Sequence, residues 1–204
     1  ELKVDFELTA AQARLLARVL ADNTSLVRLD LQWHKLDEES RKVLIDTRHL
    51  ALNWNGNAMV LLCEVGDFDS VKAMVEGHDV EKTGISVDEM VGKEGEDSYG
   101  YSRTPLQSAA RKEQFEIVEY LVKTCTNKVD IIGQTNSLGM NSLHFAALNS
   151  KKNVQTLQFL IDNYNGNIKT IINQKDSAGL ITPLDYAYFS TTNSPIKNEI
   201  VSLL

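Results

Sequence analysis

Between Thr104 and Val122 the apolar positions follow a helical spacing that is broken once. Leu106, Ala109 and Ala110 share one face of a helix, and Phe115, Val118, Leu121 and Val122 resume the spacing after a turn at residues 112–114. The start signal is local. Thr104 is placed to cap the first helix with its hydroxyl, and Pro105 sits at the first helical position, where its missing N–H costs nothing. Gln107 stands where its side chain can return a hydrogen bond to the cap, as in a capping box. A helix pair this short cannot bury its own stripe, so the pattern predicts copies stacked beside it.

Copies are present. Residues 136–147 carry the same face as Leu143, Ala146 and Ala147, followed by Val154, Leu157, Leu160 and Ile161. Residues 176–187 open another, with Ile200, Val201 and Leu204 suited to its second helix. An earlier, degenerate copy runs over residues 57–66, where Leu62 and Cys63 replace the paired alanines, and continues with Phe68, Val71, Met74 and Val75. Gly56, Gly100, Gly139 and Gly179 predict a tight turn at the head of each copy, because such turns need a positive φ.

These copies resemble the ankyrin repeat, whose core reads D-x-x-G-x-T-P-L-H-x-A-A, then a turn, then V-x-x-L-L. The resemblance covers residues 53–204, with copies at 53–79, 97–128, 136–167 and 176–204. It implies a mostly α solenoid of about four helix pairs, each headed by a hairpin. Thr104 to Asn141 spans 37 residues and Asn141 to Thr182 spans 41, against about 33 in the family. The surplus falls in the connections. The family's loop glycine survives as Gly66, while Glu113 stands in its place in the next copy. Residues 80–96 form an acidic insertion, expected to be a solvated loop with one or two helical turns over 85–91.

Residues 1–52 follow a different pattern. Val4/Phe6, Leu29/Leu31 and Leu50/Leu52 are apolar-x-apolar pairs, separated by an amphipathic helix over 8–20 that Thr9 is placed to cap and by a second helix over 37–45. The wording is similar to strand–helix leucine-rich repeats of the ribonuclease-inhibitor type. It implies a small βαβαβ leucine-rich-repeat-like cap over the first ankyrin helices, which a solenoid end needs for solubility.

Charge and chemistry narrow the function. A net charge of −7 argues against nucleic acid or an anionic membrane as the main partner. The two cysteines, Cys63 and Cys125, give no disulfide framework and imply a reducing, cytoplasmic setting. No membrane-spanning run, phosphate loop, zinc spacing or nucleophile motif is visible, and His34, His49, His78 and His144 are scattered. The resemblance gives His144 a structural role, bridging backbone groups between repeats. The chain begins on Glu1 and stops inside an apolar stretch at Leu204, so a piece of a longer protein is expected. The reading is therefore a non-enzyme without cofactor or metal, a monomeric scaffold or adaptor that binds a protein.

Two other functions stay open. One is a secreted bacterial effector acting on host proteins in the host cytoplasm. The other is the regulatory region of an enzyme whose catalytic domain lies elsewhere. The family's variable positions give the candidate binding face. The hairpins supply Trp54, Tyr99, Tyr101, Leu138, Met140 and Leu180; the first helices supply Glu64, Arg111, Lys112, Leu148, Asn149, Tyr188 and Phe189. Leu138, Met140 and Leu180 are equally suited to packing between hairpins, whereas Tyr99 and Tyr101 have the character of interface anchors.

Overall fold

A computed structural model describes residues 2–4, 9–21, 29–31, 57–78, 80–97, 100–149 and 154–190. The fold is mostly helical. At the N-terminus, β1 (Leu2–Val4) and β2 (Leu29–Leu31) pair in parallel, with Leu2 opposite Leu29 and Val4 opposite Leu31. Between them lies α1 (Ala10–Ala21), capped at Thr9, whose hydroxyl and amide both bond Gln12. The expected helix over 37–45 and the strand over 50–55 lie outside the described residues. The leucine-rich cap is therefore not shown.

From Asn57 onward the helices come in pairs. The first helices are α2 (Asn57–Val65), α6 (Pro105–Arg111), α9 (Ser142–Asn149) and α12 (Pro183–Ser190). Each packs on the next in chain order. The second helices are α3 (Phe68–Glu76), α7 (Phe115–Thr124) and α10 (Gln155–Asn163), which stack the same way. The expected second helix of the last copy, over residues 191–204, lies outside the described residues.

Small side chains allow the close approach. Ala109, Ala110 and Ala147 are fully buried beside Leu106, Leu143 and Phe145. The capping box at Thr104 forms as the sequence predicts: the Thr104 hydroxyl accepts from the Gln107 amide, and the Gln107 carboxamide oxygen accepts from the Thr104 amide. Glu113 holds a φ of 58° in the turn between α6 and α7, the left-handed conformation that Gly66 holds at 81° in the first repeat. A non-glycine residue there is uncommon.

The connections hold more structure than the pattern predicts: the helical turn expected over 85–91 is present, and it has two counterparts that the pattern did not predict. A short third helix follows the second helix in three repeats: α5 (Val87–Gly92), α8 (Lys128–Gly133) and α11 (Ile168–Ile172). Each starts on a side-chain cap, namely Ser86, Asn127 or Asn167. Each buries apolar residues four or five positions later: Met90 and Val91, Ile131 and Ile132, or Ile171. The caps stand 41 and 40 residues apart.

The 80–96 segment is thus not the expected solvated loop. After α4 (Val80–Thr83), α5 packs on α6 and α8. The Asp88 carboxylate accepts bonds from the amides of Thr126 (2.8 Å) and Asn127 (2.9 Å) and from the Thr126 hydroxyl (2.5 Å). Burial works to raise the pKa of Asp88, but these donors outweigh it and hold the carboxyl below its ordinary value.

Candidate protein-binding face

Three hairpin turns are built on one plan. Asp97, Asn136 and Asp176 each aim a side-chain oxygen at the amide four residues ahead: Tyr101 at 2.8 Å, Met140 at 3.1 Å and Leu180 at 3.2 Å. Gly100, Gly139 and Gly179 turn the chain with φ near 70–80°. At Gly139 a side chain is excluded on space as well, since a Cβ would lie 2.6 Å from the Ser177 nitrogen. Adjacent turns are bonded together. Asn136 Nδ2 donates to the Ser102 carbonyl at 2.9 Å, and the Ser177 amide donates to the Leu138 carbonyl at 2.7 Å. The tips therefore form a continuous, backbone-fixed row.

The second hairpin is also held from the preceding first helix. Gln107 Nε2 donates to the carbonyls of Gln134 (2.9 Å) and Met140 (3.3 Å). One repeat later His144 occupies the same step, fully buried, with its ring edge-on to Tyr186 at 5.8 Å. The Asn141 amide donates to His144 Nδ1 at 3.1 Å, and Nε2 faces the carbonyls of Ile181 and Gln174 without reaching hydrogen-bond geometry. Burial pulls the His144 pKa down to about 4, against the smaller opposing pull of those carbonyls and of Asp176.

Beneath the first turn lies an ionic network. Asp97 and Arg103, both buried, pair directly. The Arg103 guanidinium lies 5.3 Å from the centre of the Tyr101 ring and 5.2 Å from that of Phe145. Arg111 Nη1 reaches Asp97 at 3.8 Å and Glu64 at 3.9 Å, and Lys112 Nζ reaches Glu64 at 3.1 Å. Burial, reinforced by the Arg111 cation and opposed by Glu64, lowers the Arg103 pKa to about 10, which leaves it charged at neutral pH. Asp97 and Arg103 carry no periodic signal, so no local spacing encodes their pairing.

The candidate residues divide. Tyr101 (54% exposed), Leu138, Leu180 (72%), Tyr188 and Phe189 (63%) present side chains to solvent, and the rings of Tyr188 and Phe189 meet edge-to-face at 6.0 Å. Leu148 is half-buried. Asn149 ends α9; its side chain, with Trp54 and Tyr99, lies outside the described residues. Met140 departs from the expected face. It is 6% exposed, packed with the core, and its sulfur receives the Tyr186 hydroxyl at 3.8 Å. Arg111 and Lys112 depart in another way, since their charges are engaged by Glu64 and Asp97 within the chain. At equivalent positions of successive first helices the residues read Glu64, Arg111, Leu148 and Phe189. The charged members are paired with each other and the later ones are apolar.

Cys63 and Cys125 are both buried free thiols; burial raises each pKa, that of Cys125 to about 12 with help from the Asp88 charge. Among the described residues no helix is long and apolar enough to cross a membrane, and no group of three or more His, Cys, Asp or Glu side chains is arranged to hold a metal ion.

None of the curated proteins matches the chain. Among solved structures, a chain in the crystal structure of the yeast ribosomal protein Rps3 in complex with its chaperone Yar1 is similar in fold. It is 21% identical with a TM-score of 0.51, over 72% of this chain and 87% of that one. The family model for ankyrin repeats, in three copies, matches residues 58–176. That span takes in more than half of the sequence and each of the stacked pairs α2–α3, α6–α7 and α10 with its first helix, α9: the chain belongs to the ankyrin-repeat family.

Proposed function

We propose that the protein is a non-catalytic interaction module that binds a protein through its hairpin tips and the adjoining ends of its first helices, chiefly in the last two repeats. One observation carries this reading. Leu138, Leu180 and Phe189 hold large apolar side chains in solvent on a backbone fixed by bonds between turns, while neighbouring cations are neutralised internally. Exposed apolar surface of this kind marks interaction sites, and aromatic residues are enriched where interfaces form. The partner segment is therefore apolar rather than acidic or basic, and binding depends weakly on salt. A fold shared with a structure that pairs a ribosomal protein with a chaperone supports a binding module and names no partner for this chain.

The remaining expectations belong to the same reading. The protein is monomeric and cytoplasmic, which the buried free thiols support, and the strand–helix–strand start caps the solenoid. Neither the effector nor the enzyme-regulator reading has an observation of its own in its favour.

The test is capture from cell lysate on immobilised wild type, Leu180→Asp, Phe189→Asp and Glu116→Ala, the last on the exposed side of α7. Proteins retained by wild type and Glu116→Ala but lost from both Asp variants support the face. Proteins retained by both Asp variants and lost from Glu116→Ala exclude it.

A further inference from the structure

We infer that Asn165, in the turn between α10 and α11, is a site of spontaneous, water-driven covalent modification, deamidating through attack by the backbone nitrogen of Gly166. The residue pair and its surroundings both point there. Glycine after asparagine leaves the attacking nitrogen unshielded by a Cβ and free to take the backbone angle that ring closure needs. Asn165 and Gly166 are both exposed. No hydrogen bond holds the Asn165 carboxamide or the Gly166 amide among the described residues. The nitrogen that must lose its proton thus has no hydrogen-bond acceptor to release first; the Tyr164 ring lies beside this glycine, 2.8 Å from where a Cβ would stand.

The other described asparagines with placed side chains are restrained. Asn136 and Asn141 are buried, each with its carboxamide oxygen accepting backbone amides and its nitrogen donating to a carbonyl of another element. Asn127 and Asn167 cap helices, and Asn163 and Asn173 donate to carbonyls one turn back. None of these precedes glycine. The second Asn-Gly pair, Asn55–Gly56, lies outside the described residues.

The step is closed in atoms. Hydroxide removes the Gly166 N–H proton, and the nitrogen adds to Cγ of Asn165. The Cγ–NH2 bond breaks, and ammonia leaves with a proton from water. The resulting succinimide is opened by one water at either carbonyl, giving an aspartyl or an isoaspartyl linkage. Each event takes the net charge from −7 to −8. The isoaspartyl product also adds a methylene to the backbone two residues before Asn167, which accepts from the Lys169 amide to start α11. That helix carries Ile171, whose carbonyl receives Asn141 Nδ2 at 2.9 Å, so the altered turn lies close to the frame of the third repeat.

The experiment incubates the intact protein at mildly alkaline pH in 18O-enriched water, folded and in urea, and follows each asparagine-bearing peptide by mass spectrometry. In the folded protein the Asn165–Gly166 peptide should exchange NH2 for OH and take up the label at least about tenfold faster than the peptides holding Asn136 and Asn141, which react only on local opening. Unfolding should accelerate the latter and leave the Asn165 rate nearly unchanged. Asn165→Gln, whose longer side chain closes its ring poorly, should abolish the signal at that peptide. An Asn165 peptide that keeps its mass in the folded protein, whether or not it converts in urea, overturns the inference.

Discussion

Gln107 on α6 donates its side-chain N–H to the carbonyl of Gln134, 27 residues ahead and beyond α8, at 2.9 Å. The same nitrogen reaches the Met140 carbonyl at 3.3 Å, so one side chain joins both arms of the next hairpin to the preceding repeat. Gln107→Ala leaves both carbonyls without this partner inside the stack and should destabilise by about 1–3 kcal/mol. Gln107→His, which places at this step the residue found at position 144, should recover part of the loss. Urea unfolding of the three proteins checks this; equal midpoints for wild type and Gln107→Ala contradict it.

His144 gives the fold a pH dependence of known sign. Its folded pKa of about 4 lies below its ordinary 6.5, so on acidification the unfolded chain takes up a proton that the folded one refuses. Stability attached to this residue is full above pH 6.5 and falls as the pH drops towards 4, by up to about 3 kcal/mol. Asp88 and Asp185, both held below their ordinary 3.8, add losses that begin near the acid end of that window, at about pH 5, and grow beneath it. His144→Gln should flatten the melting temperature between pH 6.5 and 4. An unchanged slope in that variant would contradict the assignment.

Ala109 is 0% exposed on α6, the helix that packs against both α2 and α9. Ala109→Leu should cost about 1–3 kcal/mol by overpacking. A melting temperature equal to wild type would mean that the register of α6 in the stack is wrong.

Asp97 and Arg103 are buried together, so removing one takes away the other's direct partner in the low-dielectric interior. Asp97→Ala should destabilise by about 3–5 kcal/mol. It also removes the acceptor of the Tyr101 amide and frees the turn that carries Tyr101. A chain in which Asp97 and Arg103 are both replaced by apolar residues should be more stable than Asp97→Ala alone. Denaturant titration of the set measures this, and a double variant weaker than Asp97→Ala speaks against the pairing.

Much of this fold is legible in the chain because each repeat states its own boundaries. Thr104, Pro105 and Gln107 announce the start of α6, and the Leu-x-x-Ala-Ala face at 106–110 and 143–147 announces what it packs against. The third helices were only partly legible, for a physical reason. Five or six residues carry no full helical period, so α8 and α11 went unread, while α5 was expected as a helical turn but its burial was hidden by the acidity of its stretch. The signal was nonetheless present as a cap, three residues, and two apolar residues, at 86–91, 127–132 and 167–172.

The candidate face was partly legible. Exposure of Tyr101 follows from its place on a hairpin tip. For Leu138, Met140 and Leu180 the pattern left exposure and packing between hairpins equally open; that Met140 is the buried one depends on Tyr186 arriving from the next repeat, 46 residues away. The capture of Arg111 by Glu64 and Asp97 is likewise tertiary, and no local spacing encodes it.

The proposed face is tested most directly by calorimetric titration of a captured partner against wild type, Leu180→Asp, Phe189→Asp and Glu116→Ala, each at low and high salt. Both Asp variants should lose about 2 kcal/mol or more, Glu116→Ala should lose nothing, and the wild-type affinity should be nearly independent of salt. Unchanged affinity in both Asp variants with weakened binding by Glu116→Ala would contradict the proposed face.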